Sequence, residues 1–195
     1  MVPGDRAAAA LRAVRDAAEA HDAGGAHGVL VTSMRMPDAP QLPEAVRGRT
    51  LLSIEALAAD EAALAWLDGV RAAAEPERDE VGPTTQLAHA LAATEPTEPS
   101  PSLGASVALA RLDDATIDAL LAWRDLPEQA GIVGVSLRLL GGALDAPPRP
   151  AFGSLAGARW LAMGLAPLLP GASREAAAAS LGGSRPCWRP RRRRG

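Results

Sequence analysis

The chain has 195 residues, 48% of them hydrophobic, with 20 basic and 23 acidic side chains and a formal charge of −3. This is the size of one ordinary domain or a compact two-layer domain, able to bury about 70% of its unfolded surface without a disulfide or metal. A single cysteine, Cys187, excludes an intramolecular disulfide; no run approaches the roughly 18 apolar residues of a membrane span; a soluble, cytoplasmic protein is expected.

The N-terminus, "MVPGDRAAAALRAV", lacks the apolar stretch of a signal peptide. Residues 5–21 read as a helix: Asp5 suits an N-cap, Leu11, Val14 and Ala18 recur at helical spacing, and Gly24-Gly25 follow the end. "GVLVTSMRM", 28–36, reads as a strand, with Val29 and Val31 alternating with Leu30, Thr32 and Met34. A proline-punctuated connection leads to a second strand, "TLLSIEALA". Leu52 and Ile54 share one of its faces, Ser53 and Glu55 the other. Asp60 is the expected cap of a helix running to about residue 74, with Leu64, Leu67 and Val70 in register.

"RDEVGPT" is read as a short strand and residues 84–93 as a short helix. "TEPTEPSPSLG", 94–104, has loop composition. "ASVALARL" is the next strand, and Asp113 or Asp114 caps a helix that groups Ile117, Leu120 and Leu121. "GIVGVSLRLL" alternates most clearly. Val133, Val135, Leu137 and Leu139 take one face; Gly134, Ser136 and Arg138 take the other. Such alternation marks a sheet with one dry face and one open to water or ligand. "ARWLAMGL", 158–165, leans to strand, and residues 173–181 to an alanine-rich helix. No internal repeat recurs at a fixed period. The expected fold class is α+β: an antiparallel sheet with helices packed on one face, over residues 1–183.

The remaining segment, 184–195, "SRPCWRPRRRRG", holds six arginines and no acid, and is expected to be a disordered tail. Without it 14 arginines face 23 acids, so the body carries −9 and does not suit broad phosphate binding. The tail reads either as a phosphate- or membrane-binding end or as an unselected end of the kind a shifted frame in GC-rich DNA produces. Neither a membrane nor nucleic acid is the expected partner.

Motifs for standard chemistries are absent: no GxGxxG, no phosphate loop, no HExxH, no GxSxG. His21, His27 and His89 are scattered and read as surface or capping residues rather than metal ligands. Cys187 has no histidine near it in sequence and reads as an incidental thiol. Asp113-Asp114 fits helix capping better than a carboxylate pair, and Glu95 and Glu98 lie in the proline-rich loop.

Three stretches carry a resemblance. "VTSMRMPDAPQLPEAVRGRTLLSIEALAADEAALAWLDGVRAAAEP", "LAHALAATEPTEPSPSLG" and "SLRLLGGALDAPPRPAF" occur in the order and spacing of one family. Across residues 8–181 the chain resembles the substrate domain of berberine-bridge-enzyme-like FAD-linked oxidases, the flavoproteins grouped with vanillyl-alcohol oxidase and p-cresol methylhydroxylase. The shared features are a Thr-Ser strand, a Pro-rich link with "P-L-P", an "RG", a "D-P-x-x-P"-like link and a strand ending in Gly-Gly-Ala. Members often have Arg-His where Arg138-Leu139 stands here.

The resemblance implies a sheet that roofs a flavin ring, with its polar face lining the substrate cavity. Gly141-Gly142 would then be the exit of a cavity-lining strand, or a tight turn of the kind any sheet uses. On that reading Thr32, Glu55, Ser136 and Arg138 bind substrate by hydrogen bonding and charge; no catalytic, cofactor-binding or metal-binding residue is assigned. The family's FAD-binding domain, with its pyrophosphate loop and tethering His and Cys, has no counterpart here. Its closing Asn-Phe strand and the tyrosine that some members use as a base have none either. The expectation is a truncated FAD-linked oxidoreductase, its substrate-domain portion, not catalytic alone. FAD belongs to the full-length family and is not held by this chain by itself. The alternative is a stand-alone α+β ligand-binding or dimerisation module without enzymatic activity. The expected partner is a flavin-binding domain or a second copy of the chain.

Overall fold

A computed structural model describes residues 1–20, 28–36, 38, 40, 43–58, 61–92, 101–125, 134–141, 155, 157–168 and 173–183. The expected fold class holds: six strands form an antiparallel sheet, and helices cover one of its faces. The strands are β1 (Val2–Pro3), β2 (Gly28–Arg35), β3 (Thr50–Leu57), β4 (Ser102–Leu109), β5 (Gly134–Leu139) and β6 (Trp160–Pro167). Their order across the sheet is β1-β3-β2-β5-β6-β4. The helices are α1 (Ala7–Ala20), α2 (Leu67–Ala74), α3 (Gln86–Ala92), α4 (Asp114–Arg124) and α5 (Arg174–Gly183).

Period-two alternation decides which side chains go inward. Val29 and Val31 of β2, Leu52 of β3, Val135, Leu137 and Leu139 of β5, and Trp160, Ala162 and Ala166 of β6 are buried on one face. Helix α1 contributes Leu11 and Val14 to the same core, and α4 contributes Ile117, Leu120 and Trp123. The small residues of β6 have a packing role. A Cβ on Gly164 would stand 1.7 Å from the outer ring of Trp123, so only glycine lets α4 seat its indole against this strand. Asp113 is the N-cap of α4, its carboxylate accepting from the Thr116 N–H at 2.9 Å and the Thr116 hydroxyl at 2.6 Å.

Several expectations are corrected. Asp5 sits within a 3-10 turn, Gly4–Arg6, that runs directly into α1. The helix expected up to residue 74 is interrupted. A 3-10 turn, Ala62–Leu64, precedes α2, whose N-cap Trp66 makes no side-chain capping bond. Residues 78–84 are not a strand: Val81 is exposed and no neighbouring strand pairs with it. Residues 102–104, assigned to a loop by composition, are the start of β4, because pairing with β6 extends to Ser102↔Pro167. Strand β1, two residues long, was not anticipated; Val2↔Leu52 and Pro3↔Leu51 place it at the edge beside β3. Asp60, Glu95, Glu98, His21, His27, Val133, Gly142 and the whole of 184–195, with Cys187, lie outside the described residues.

Candidate functional site

The second face of the sheet is the candidate site. Register fixes which residues share it. Leu30 pairs with Glu55 on one side and Arg138 on the other; Thr32 pairs with Ser53 and Ser136. Arg138 then faces Leu161, and Ser136 faces Met163. Two rows therefore cross the sheet on the face opposite the core. One reads Glu55–Leu30–Arg138–Leu161; the other reads Ser53–Thr32–Ser136–Met163, with Ser106 beyond it on β4. The four residues expected to bind substrate, Thr32, Glu55, Ser136 and Arg138, thus lie together on the central strands of one face. Alternation alone placed them there.

The rows differ in chemistry. Adjacent strands lie about 4.8 Å apart, so Ser53, Thr32 and Ser136 form a ladder of hydroxyls about 10 Å long. All three are half-buried, and among the described residues none of the three hydroxyls has a hydrogen-bond partner. Glu55 and Arg138, flanking Leu30, are the only charged side chains that the described strands present on this face. They sit two strands apart, about 10 Å. Met34, Met163, Leu165 and Leu57 are large apolar side chains left 38–47% exposed around them.

Two features were missed by the sequence reading. His89, for which the sequence predicts a surface or capping role, places its Nε2 3.9 Å from the Glu55 carboxylate, at the β3 margin of the face. Nothing in the spacing of residues 55 and 89 signals this. Beneath β2, on the core side, the buried Arg124 donates from Nη1 to the Ser33 hydroxyl at 2.9 Å and grips Asp125 through Nε and Nη2 at 2.7 Å each. The signal was present here: Arg124 falls four residues after Leu120 and seven after Ile117, in the buried stripe of α4. This charge-assisted cluster pins the strand that carries Thr32 on its other face.

A dinucleotide's pyrophosphate needs converging backbone N–H groups at a glycine-rich turn or a helix N-terminus. The described strands of this face offer paired pleated backbone and one guanidinium. Apolar side chains beside hydroxyls fit the covering of an uncharged ring or a small polar ligand instead. Among the described residues no group of three or more His, Cys, Asp and Glu side chains is placed to hold a metal ion, and no helix is long and apolar enough to cross a membrane.

No protein-family model matches the chain, and no curated protein matches it in sequence. Solved structures match it in fold. A chitooligosaccharide oxidase superposes with a TM-score of 0.58 at 13% identity, over 96% of this chain and 41% of its own length. The C166A variant of berberine bridge enzyme superposes with a TM-score of 0.61 at 10% identity, over 98% and 40%. The monoclinic form of berberine bridge enzyme from Eschscholzia californica gives 0.58 at 10% identity, over 98% and 40%. The chain spans about 40% of the length of these proteins. At such identities the likeness is one of fold: nearly all of this chain has the architecture of one portion of these enzymes.

Proposed function

We propose that this chain is the substrate-domain portion of an FAD-linked oxidoreductase of the berberine-bridge-enzyme-like type, and that it is not catalytic alone. Its open face would close over a flavin held by a separate flavin-binding portion. The redox chemistry would be the flavin's; the chain would orient the substrate and keep water from it. One observation supports the reading: in a fold shared with oxidases across 96–98% of the chain, hydroxyls and opposite charges are gathered on the sheet face away from the core that α1 and α4 pack against.

The test uses lumiflavin, the flavin ring without phosphates, titrated into the 15N-labelled chain. The expected result is amide shifts confined to Leu30–Met34, Ser53–Leu57 and Gly134–Arg138. Shifts on the α1 and α4 side, or none up to the solubility limit of lumiflavin, overturn it. The exposed Met34, Leu57, Met163 and Leu165 favour a second reading, a non-enzymatic module that covers this face with a second copy. A sedimentation mass of twice the 20.0 kDa chain, abolished by Met163→Glu, would select it.

A further inference from the structure

We propose that the open face selects a hydroxyl-bearing monocarboxylate, seating its carboxylate on Arg138 and its hydroxyls along Ser136, Thr32 and Ser53. The inference rests on the reading of this face as the substrate side and adds the class of ligand.

The first argument is the state of Arg138. Eight described arginines (Arg6, Arg12, Arg15, Arg49, Arg71, Arg78, Arg111 and Arg124) each stand within ion-pair distance of a carboxylate. Arg138, like Arg159 and Arg174, stands beside none among the described residues, although the body has an excess of acids; Arg159 is engaged by the Ala18 carbonyl and Arg174 begins α5, so Arg138 is the one that lies on the open face. It projects instead from a central strand between Leu30 and Leu161. Arg138 is exposed, so its guanidinium is open to an incoming anion, and Leu30 and Leu161 on either side offer apolar contact to the ligand's carbon chain. A guanidinium presents parallel N–H donors that match a carboxylate edge.

The second argument is the hydroxyl ladder. Ser136 lies two residues from Arg138 on the same strand and face, and Thr32 and Ser53 continue the row. Each hydroxyl can both donate and accept. A chain of hydroxyl groups leading away from the carboxylate meets this row in kind. Glu55 supplies the third argument. About 10 Å from Arg138, it repels a second carboxylate at the far end of the ligand, so a monoanion is favoured over a dianion. The body charge of −9 acts in the same direction and rules out a general attraction for anions.

The experiment titrates the full chain with three polyols of similar length, followed by 1H–15N shifts of the Arg138 Nε–H and the amides of Thr32, Ser53 and Ser136. Gluconate is the monoanion, sorbitol its neutral counterpart and glucarate the dianion. The expected order is gluconate tightest, by about two- to fivefold over sorbitol, as one exposed charge pair supplies. Arg138→Met should bring gluconate down to the sorbitol level, and Arg138→Lys should keep part of the preference. Glu55→Gln should raise glucarate toward gluconate. Sorbitol binding as well as gluconate, glucarate binding tightest to the unaltered chain, or an unchanged gluconate affinity in Arg138→Met overturns the inference. Lumiflavin added to the same samples separates the two failures. If lumiflavin still perturbs β2, β3 and β5, the ligand class alone is wrong; if it perturbs nothing, the oxidase reading fails as well.

Discussion

Gly164→Ala is the sharpest test of how α4 sits on the sheet. The added methyl would lie 1.7, 2.2 and 2.6 Å from three carbons of the outer ring of Trp123, distances no real Cβ adopts. Trp123 is buried and rigid, so the ring body itself must move, and α4 or β6 must move with it. Overpacking of this kind costs about 1–3 kcal/mol. Alanine's smaller backbone entropy loss returns roughly 0.5–1 kcal/mol, leaving a net loss of about 0–2.5 kcal/mol, and about 1–3 kcal/mol relative to a glycine-to-alanine change made without a clash. Trp123→Phe deletes the three carbons in question, so the double variant should lose less than the two single variants together, with a coupling of about 1 kcal/mol or more. Gly104→Ala is the control: its Cβ meets only the Gly164 carbonyl oxygen at 3.6 Å, an ordinary contact, and it should be neutral or slightly stabilising. Urea unfolding followed by far-UV circular dichroism measures all four, with unchanged m-values confirming that stability alone has moved. A Gly164→Ala variant as stable as Gly104→Ala, or strictly additive losses in the double variant, would refute the packing.

Other substitutions probe the rest of the sheet. Leu137→Ala should cost about 2–5 kcal/mol as a buried large-to-small change, whereas Ser136→Val one residue away, on the open face, should stay within about 0.5 kcal/mol; equal losses in chemical denaturation would mean that the faces are misassigned. Ser33→Ala leaves the buried Arg124 Nη1 without its acceptor and should cost about 1–3 kcal/mol, read from the urea midpoint. Asp114 titrates below its ordinary value of 3.8, chiefly because Arg15 donates a hydrogen bond to it; burial opposes this, and the charges of Arg15 and Arg12 add to the lowering. A depressed carboxyl stabilises the fold above its unfolded-state pKa and loses that contribution as pH falls through its folded value. Asp114→Asn should therefore lower the urea midpoint at pH 7 and leave it close to that of the unaltered chain at pH 2; a difference that persists undiminished at pH 2 would exclude the linkage.

Legibility followed the physics of each element. Strands β2, β3 and β5 were readable from short stretches of alternation, Leu52-Ser53-Ile54-Glu55 in β3 and Val135-Ser136-Leu137-Arg138-Leu139 in β5, with Val29 and Val31 in β2, and the same parity put Thr32, Glu55, Ser136 and Arg138 on one face. The cap of α4 was readable because an Asp before an apolar run has one dominant use, and Asp113 proved to be that cap. Strand β1 was not, since two residues carry no period and its pairing with β3 spans some 50 positions of sequence. The start of β4 was hidden by composition: Ser102 and Gly104 have loop character, and only their partners Pro167 and Leu165 on β6 make them strand. Val81 misled in the opposite sense, because one β-branched residue without a neighbouring strand leaves its backbone to water. Long-range pairs such as His89 with Glu55 and Arg124 with Ser33 exist only once the chain is folded, although the place of Arg124 in a buried helical stripe already required some polar partner beneath the sheet.

The two faces divide the work of the molecule, and the division follows from where the large side chains went. Trp123, Trp160, Ile117, Leu52 and Leu112 are all on the helical side or at its margin, each no more than 4% exposed. With most of the cohesion supplied there, the opposite face, although Leu51 is buried on it, can present hydroxyls and a guanidinium that have no side-chain partner among the described residues, an arrangement that a core would not tolerate. Strand β2 shows both roles at adjacent residues: Ser33 turns inward to satisfy Arg124, and Thr32 turns outward with its hydroxyl free of any described partner. Under the proposed substrate role, the open side would act as a preorganised surface on which weak individual contacts add up to selectivity for one ligand shape. Substitutions on the open face should accordingly change what binds while leaving the unfolding transition in place.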